Sequence, residues 1–316
     1  MKNDSNKRLV LTQMPKGRRP LDIEPVRLQK FLANQGFGSR RQLEQAIAAS
    51  EIKVNGQVAQ LGAQVQLGDK IEWQRKRFTV GVQPAQLPRV LMYNKPEGEI
   101  CTRQDPEGRK TVFAALPRLK DARWISVGRL DINTSGLLLF TDDGELANRL
   151  MHPSNELPRY YAVRVLGEVE QEHIEQLRTG VELEDGVSRF ESVEDLGGEG
   201  ANCWYRVRLI GGKNREVRRL WESLGFMISR LIRVQFGDLR LPENLYQGKV
   251  LELSSDQVQQ YFDIPVQKVE YTAVFDRRRG AKPSADTGGR HSRYGTKSSP
   301  SKRQGQRAGF TKKRRK

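Results

Sequence analysis

Apolar positions along the 316-residue chain change their spacing in a way that divides it. In "VRLQKFLANQGFGSRRQLEQAIAAS", Leu28, Phe31 and Leu32 share one helical stripe, which the Gly36–Gly38 break ends. Ser39 is placed to cap a second helix carrying Leu43, Ala46 and Ile47. "IKVNGQVA" then reads as two strands about an Asn55-Gly56 turn, and "QVQLGDKIEW" alternates Val65, Leu67, Ile71 and Trp73. The pattern predicts a compact two-helix unit with small strands over residues 27–76. Residues 77–88, "RFTVGVQPAQLP", read as a linker kept extended by Pro84 and Pro88.

From 89 to 270 strands dominate. Strand-like runs are "RVLMYN", "RWISVG", "GLLLFT", "RYYAVRVLG", "CWYRVRLI" and "RLIRVQFGDLRL". Helical patterns are fewer and separated: "DGELANRLMH", "EQEHIEQLRTG" and "NREVRRLWESLG". This alternation predicts an α+β domain on a mostly antiparallel mixed sheet. The chain has no internal repeat, no glycine-rich dinucleotide fingerprint and no P-loop, so nothing argues for a nucleotide cofactor.

Composition adds a charge story. The formal net charge is +17, and residues 277–316 hold 15 Lys/Arg against one acid, Asp286. Residues 1–26 hold six Lys/Arg against three acids, which leaves the middle of the chain formally neutral. We therefore expect a basic flexible arm (1–26) and a basic disordered tail (271–316), suited to nucleic acid through counterion release. Arg40 and Arg41, in the first turn of the second predicted helix, oppose its dipole and suit an external anion. No apolar run reaches the roughly 18 residues of a membrane span, and no signal-peptide pattern opens the chain. Cys101 and Cys203 form no CxxC pair, and the three histidines have no metal-ligand spacing. A cytoplasmic monomer without metal or cofactor is the expectation.

Four stretches carry candidate chemistry. "GRLDINTSGLLLF" sets Asp131 in a polar turn just before an apolar strand, with Arg129 two residues ahead. "YNKPEGEICTRQDPEGRKTVF" has two Pro-Glu-Gly turns with basic neighbours, Lys95 among them. "PRYYAVRV" opens a strand with Tyr160 and Tyr161, which must face opposite ways. "GGKNREVRRLWESLG" gathers Lys213, Arg215, Arg218 and Arg219 at a helix start. Each also has a plain structural reading: turn residues, a core tyrosine, a solvated basic face.

The run "RLQKFLANQGFGSRRQLEQAI...IKVNG" resembles the S-four-type RNA-binding module. On its residues alone, a small protein-binding module fits almost as well. The resemblance implies RNA contacts by Arg27, Lys30, Ser39, Arg40, Arg41 and Lys53. Taken together, the other four stretches resemble the pseudouridine synthases, in the branch that acts on small- and large-subunit ribosomal RNA. "GRLDINTSGLLLFTDDGELANRLMHP" is the diagnostic motif, and the resemblance spans about residues 27 to 250.

That resemblance implies an isomerase that detaches uracil from ribose, turns it and rejoins it through carbon, with no cofactor. It implies Asp131 as catalytic carboxylate, Arg218 as the arginine paired with it, and Tyr161 stacked on the uracil. Whether Asp131 attacks the sugar, attacks the ring or removes a proton stays open. Lys95, Arg129, Lys213 and Arg215 are the expected grip on RNA around a flipped base. The implied partner is 23S rRNA or an assembling large ribosomal subunit. Two other readings compete: a non-enzymatic RNA-binding assembly factor, and a glycosidase pairing Asp131 with Asp142 or Glu145.

Overall fold

A computed structural model describes residues 24–119, 122–199, 201–264 and 269–275. Most of the basic arm, and the basic tail beyond residue 275, lie outside the described residues. The first domain runs β1 (Val26–Arg27), α1 (Leu28–Asn34), α2 (Arg40–Ala48), β2 (Lys53–Val54), β3 (Gln57–Val58), β4 (Gln64–Val65), β5 (Lys70–Trp73) and β6 (Lys76–Gln83). The apolar stripes meet as predicted: Leu28, Phe31, Leu32, Leu43 and Ile47 bury against Ile52, Ile71 and Phe78. Ser39 closes a capping box with Gln42, which starts α2 where the sequence places it.

The second domain runs β7 (Val90–Lys95), β8 (Ile125–Val127), β9 (Ser135–Thr141), α3 (Gly144–Met151), β10 (Pro158–Leu166), α4 (Gln171–Thr179), β11 (Ser192–Glu199), β12 (Asn202–Ile210), α5 (Glu216–Glu222), β13 (Met227–Phe236), β14 (Leu239–Arg240), β15 (Val250–Glu252) and α6 (Ser255–Phe262). A final strand, β16 (Glu270–Phe275), follows. The large sheet has the order β11-β12-β10-β13-β9-β7-β15, with β8 and β14 as side strands. Among the described strands, β13 and β9 alone pair in parallel, so the sheet is mixed and mostly antiparallel, as the strand pattern predicts. Strand β9 is buried along its whole length. Leu138 and Phe140 enter a core with Tyr93, Val163 and Trp221; Leu137 and Leu139 enter a second core with Leu146 of α3 and Val258 of α6. Cover on both faces explains why "GLLLF" lacks alternation.

The domain boundaries depart from the sequence reading. Most of the expected linker, residues 77–83, belongs to strand β6, with Phe78, Val80 and Val82 buried at period two. The remaining connection, bounded by Pro84 and Pro88, is short. The first residues assigned to the tail are also structured. Strand β16 pairs antiparallel with β6, from Glu270↔Gln83 to Phe275↔Phe78. The Gln35 side chain, just beyond α1, accepts from Ala273 N (2.9 Å), and Phe275 stacks near Phe37 and Phe78. The second domain is therefore an insertion between two neighbouring strands of the first domain's sheet. Lys30 of α1 and Glu145 of α3 form an ion pair across the domains.

Two truncations, ending at 264 and at 276, should isolate the contribution of β16. The shorter chain should lose about 1–3 kcal/mol from the first domain alone, through its ladder hydrogen bonds and aromatic contacts. Calorimetry should then resolve an earlier transition that the longer chain lacks. Identical thermograms would mean that β16 contributes nothing to the module.

Candidate active site

The turn before β9 is held from below by a lysine. Lys95, at the end of β7, is 0% exposed, and its ammonium donates to the carbonyls of Asp131 (3.0 Å), Thr134 (2.8 Å) and Pro96 (3.0 Å). Burial pushes its pKa below the usual lysine range, while nearby Cys101, Glu99 and Asp131 oppose that fall. The same loop adds Gly98 N to Ile132 O (2.8 Å), and the Cys101 thiol lies 3.3 Å from Leu130 O. Thr134 N donates to Asp131 O at 3.1 Å, closing the turn. Behind it β9 and β13 come very close: a Cβ on Gly136 would lie 2.3 Å from Arg233 O, so only glycine fits there.

This framework presents Asp131 to a cleft of about 140 Å³. Tyr161 of β10, 8% exposed, and Arg218 of α5, 6% exposed, line the same cleft. Tyr161 is thus the member of its pair that faces the site. Arg218 is tethered by main chain: it donates to Asn133 O (2.8 Å) and, more weakly, to Ile228 O (3.4 Å). Burial lowers its pKa and Asp131 opposes that shift. The expected Asp131–Arg218 ion pair is absent from the described residues; the arginine engages the turn's backbone instead, and no hydrogen bond there holds the Asp131 carboxylate.

The other predicted residues divide. Arg129 is exposed on the cleft rim. Lys213 lines the cleft, with its ammonium on the carbonyls of Asp185, Gly186 and Val187 (3.1, 3.1 and 3.2 Å). Arg215 also lines it and bonds Glu222 at 3.2 Å. Lys95 does not face RNA: it is enclosed, because three carbonyls of adjoining turns need a donor there. In the first domain, Arg27, Arg40, Arg41 and Lys53 are exposed. Lys30 is instead engaged by Glu145, and the Ser39 hydroxyl by Gln42 N at 3.2 Å. Sequence reasoning missed Arg159 and Arg233, which also line the cleft. Arg159 stands two residues before Tyr161, on the same strand face, and that spacing could have found it.

Comparison with known proteins agrees with this architecture. The RNA pseudouridylate synthase family matches residues 89–223, and the S4 domain matches residues 26–71. The chain belongs to the RNA pseudouridine synthases, which are isomerases, and carries an S4 domain at its N-terminal side. It is 52% identical over 259 residues to ribosomal large subunit pseudouridine synthase B of Escherichia coli (strain K12), covering 80% of this chain and 89% of the relative. It is 49% identical over 261 residues to the protein of that name from Yersinia pestis, covering 81% and 82%. A solved pseudouridylate synthase shares the fold at a TM-score of 0.52 and 26% identity, covering 75% of this chain and 99% of that one.

Lys95→Met should separate support from RNA contact. Losing the buried donor leaves turn carbonyls unpaired, at about 1–3 kcal/mol of stability. Turnover should fall at least tenfold while the salt dependence of RNA binding stays unchanged. A flattened salt slope with full stability would instead put the ammonium on a phosphate.

Proposed function

We propose that the protein converts uridine to pseudouridine in large-subunit (23S) ribosomal RNA, at a stem-loop near the peptidyl-transferase centre. Asp131 is the catalytic carboxylate, acting on a uridine flipped out of its stack. The observation that carries this reading is a carboxylate that has no hydrogen-bonded partner among the described residues, presented on a braced turn beside a tyrosine and several cations. Detaching uracil develops positive charge on the sugar, which a carboxylate can stabilise or trap covalently. Tyr161 offers a flat surface for the base, and Arg218 keeps the turn oriented from the far side. Flipping costs a few kcal/mol, and the exposed cations of the first domain supply a place to recover it through phosphate contacts. The names of the similar bacterial proteins support the choice of large-subunit RNA.

The glycosidase reading loses its second acid. Asp142 accepts from Arg89 N at 2.8 Å, Glu145 pairs with Lys30, and neither lines the cleft. The other acid of the cleft, Glu216, is buried and accepts from Lys213 N at 2.9 Å.

Asp131→Asn should leave a folded, RNA-binding protein that releases no tritium from RNA labelled at carbon five of uridine. Turnover should fall by several decades, each about 1.36 kcal/mol of barrier. Wild-type turnover by this variant, with deamidation excluded by mass spectrometry, would remove Asp131 from the chemistry. Tyr161→Phe and Tyr161→Ala report on the ring and the hydroxyl separately. Ala should lose the base contact, worth about 1–3 kcal/mol. Phe should retain binding and reveal in turnover whether the hydroxyl handles a proton. Unchanged rates in both would place the base elsewhere.

A further inference from the structure

Opposite the Asp131 turn, two arginines converge on one aromatic ring. The guanidinium of Arg159 lies 5.2 Å from the Phe236 ring centroid, and that of Arg233 lies 5.4 Å from it. Both arginines and Phe236 line the cleft that holds Asp131 and Tyr161. A fault in the strand pairing brings them together. On β10 and β13, Arg159 is opposite Phe236 and Tyr160 opposite Gln235, but Tyr161 is opposite Arg233, so Val234 is the extra residue of a bulge. Strict alternation would put Arg233 and Phe236 on opposite faces; the bulge puts both on the face shared by Arg159 and Tyr161. The burial of Leu231, Arg233 and Phe236 follows that altered phase.

Burying two like charges side by side costs free energy unless an anion joins them. Among the described residues, neither arginine has a carboxylate partner within ion-pair distance. Arg233 is 2% exposed: its Nε donates to Leu137 O at 2.7 Å, and one Nη has no hydrogen-bond partner. Arg159 makes a weak bond to Leu157 O at 3.4 Å. Burial lowers the Arg159 pKa, Arg233 lowers it further, and Tyr161 and the Glu216 carboxylate oppose that fall from beyond ion-pair distance. Tethers of this kind orient guanidiniums without neutralising them.

We propose that Arg159 and Arg233, held over Phe236, form an anion subsite that takes a backbone phosphate next to the uridine reacting at Asp131. The subsite is separate from the surface cations of the S4 domain. It would fix the sugar of the flipped nucleotide from its phosphate while Tyr161 meets the base. This inference rests on the reading of the cleft as the uridine site.

The test uses the full chain and a synthetic stem-loop containing the uridine that the wild-type protein converts. Three versions carry native linkages, a neutral methylphosphonate 5′ to that uridine, or one 3′ to it. On native RNA, Arg159→Gln should lower kcat/KM at least tenfold and reduce the log–log salt slope of binding by about 0.7. Arg159→Lys should restore the slope. One of the neutral linkages should lower the wild type to the level of Arg159→Gln and remove the difference between them. Arg233→Gln should show the same loss of sensitivity to that linkage, and Arg233→Lys, which keeps the charge, should restore it. If Arg159→Gln is equally impaired on all three RNAs, or keeps the native slope, the subsite does not exist. Binding of catalytically inactive Asp131→Asn reads the subsite without turnover. Full turnover by that variant would sink the Asp131 assignment and leave the phosphate measurement standing.

Discussion

The placement of Asp131 depends on one buried ammonium. Lys95 is enclosed by its own chain and donates into the turn from Asp131 to Thr134 as well as into its own loop. Enclosing the charge is unfavourable in itself, as the lowered pKa records. What it secures is a polar turn whose carbonyls would otherwise lack a buried cationic donor. A neutral side chain of that length offers at most two donors, whereas an ammonium carries three. Two further contacts reinforce the arrangement. Tyr93 O–H donates to Glu99 at 2.5 Å, and Lys110 pairs with the same carboxylate at 2.7 Å, so the 97–101 loop that braces Ile132 and Leu130 is itself anchored. Rigid support of this kind is what the proposed role of Asp131 as a reacting group requires.

The topology gives the first domain a particular hold on the second. The chain leaves the first sheet at β6, builds the whole larger domain, and returns to pair with the strand it left. Two covalent crossings, together with the Lys30–Glu145 pair, constrain the S4 module more than a single linker would. On the proposed reading, RNA bound by that module would reach the cleft from a limited set of directions.

Much of this was legible in the sequence because it is local. Periodicity located α1, α2, α3 and most of the sheet, and the polar turn before an unbroken apolar run located Asp131. What escaped depends on partners distant in sequence. The β6–β16 ladder joins residues 187 apart, as Gln83 and Glu270 do, and no local pattern encodes such a pairing. Pro84 and Pro88 also drew attention from the alternation of Phe78, Val80 and Val82 that marks β6 as a strand. Lys95 reads as a surface cation in any window of sequence, and only the carbonyls of Asp131 and Thr134 reveal its burial. Arg233 was hidden by the bulge at Val234, which reverses the face that a period of two assigns.

A common electrostatic logic links these findings. Several cations of the outer surface of the second domain are matched with carboxylates: Arg89 with Glu252, Arg109 with Asp105, Arg219 with Asp185. Around the cleft the tethers are mostly carbonyl oxygens. Arg218 is held by Asn133 O, Arg233 by Leu137 O, and Lys213 by three backbone oxygens, with the Asp185 carboxylate more distant at 3.8 Å. A carboxylate fixes a cation and cancels its charge; a carbonyl fixes it and leaves nearly all of that charge in place. The cleft thus combines preorganisation with an uncancelled positive field. A field of this sign attracts a polyanion and resists the intrusion of other acids. It also sets the one carboxylate of the turn apart, since Asp131 stands among cations already committed to backbone. Its oxygens remain available to whatever enters the cleft.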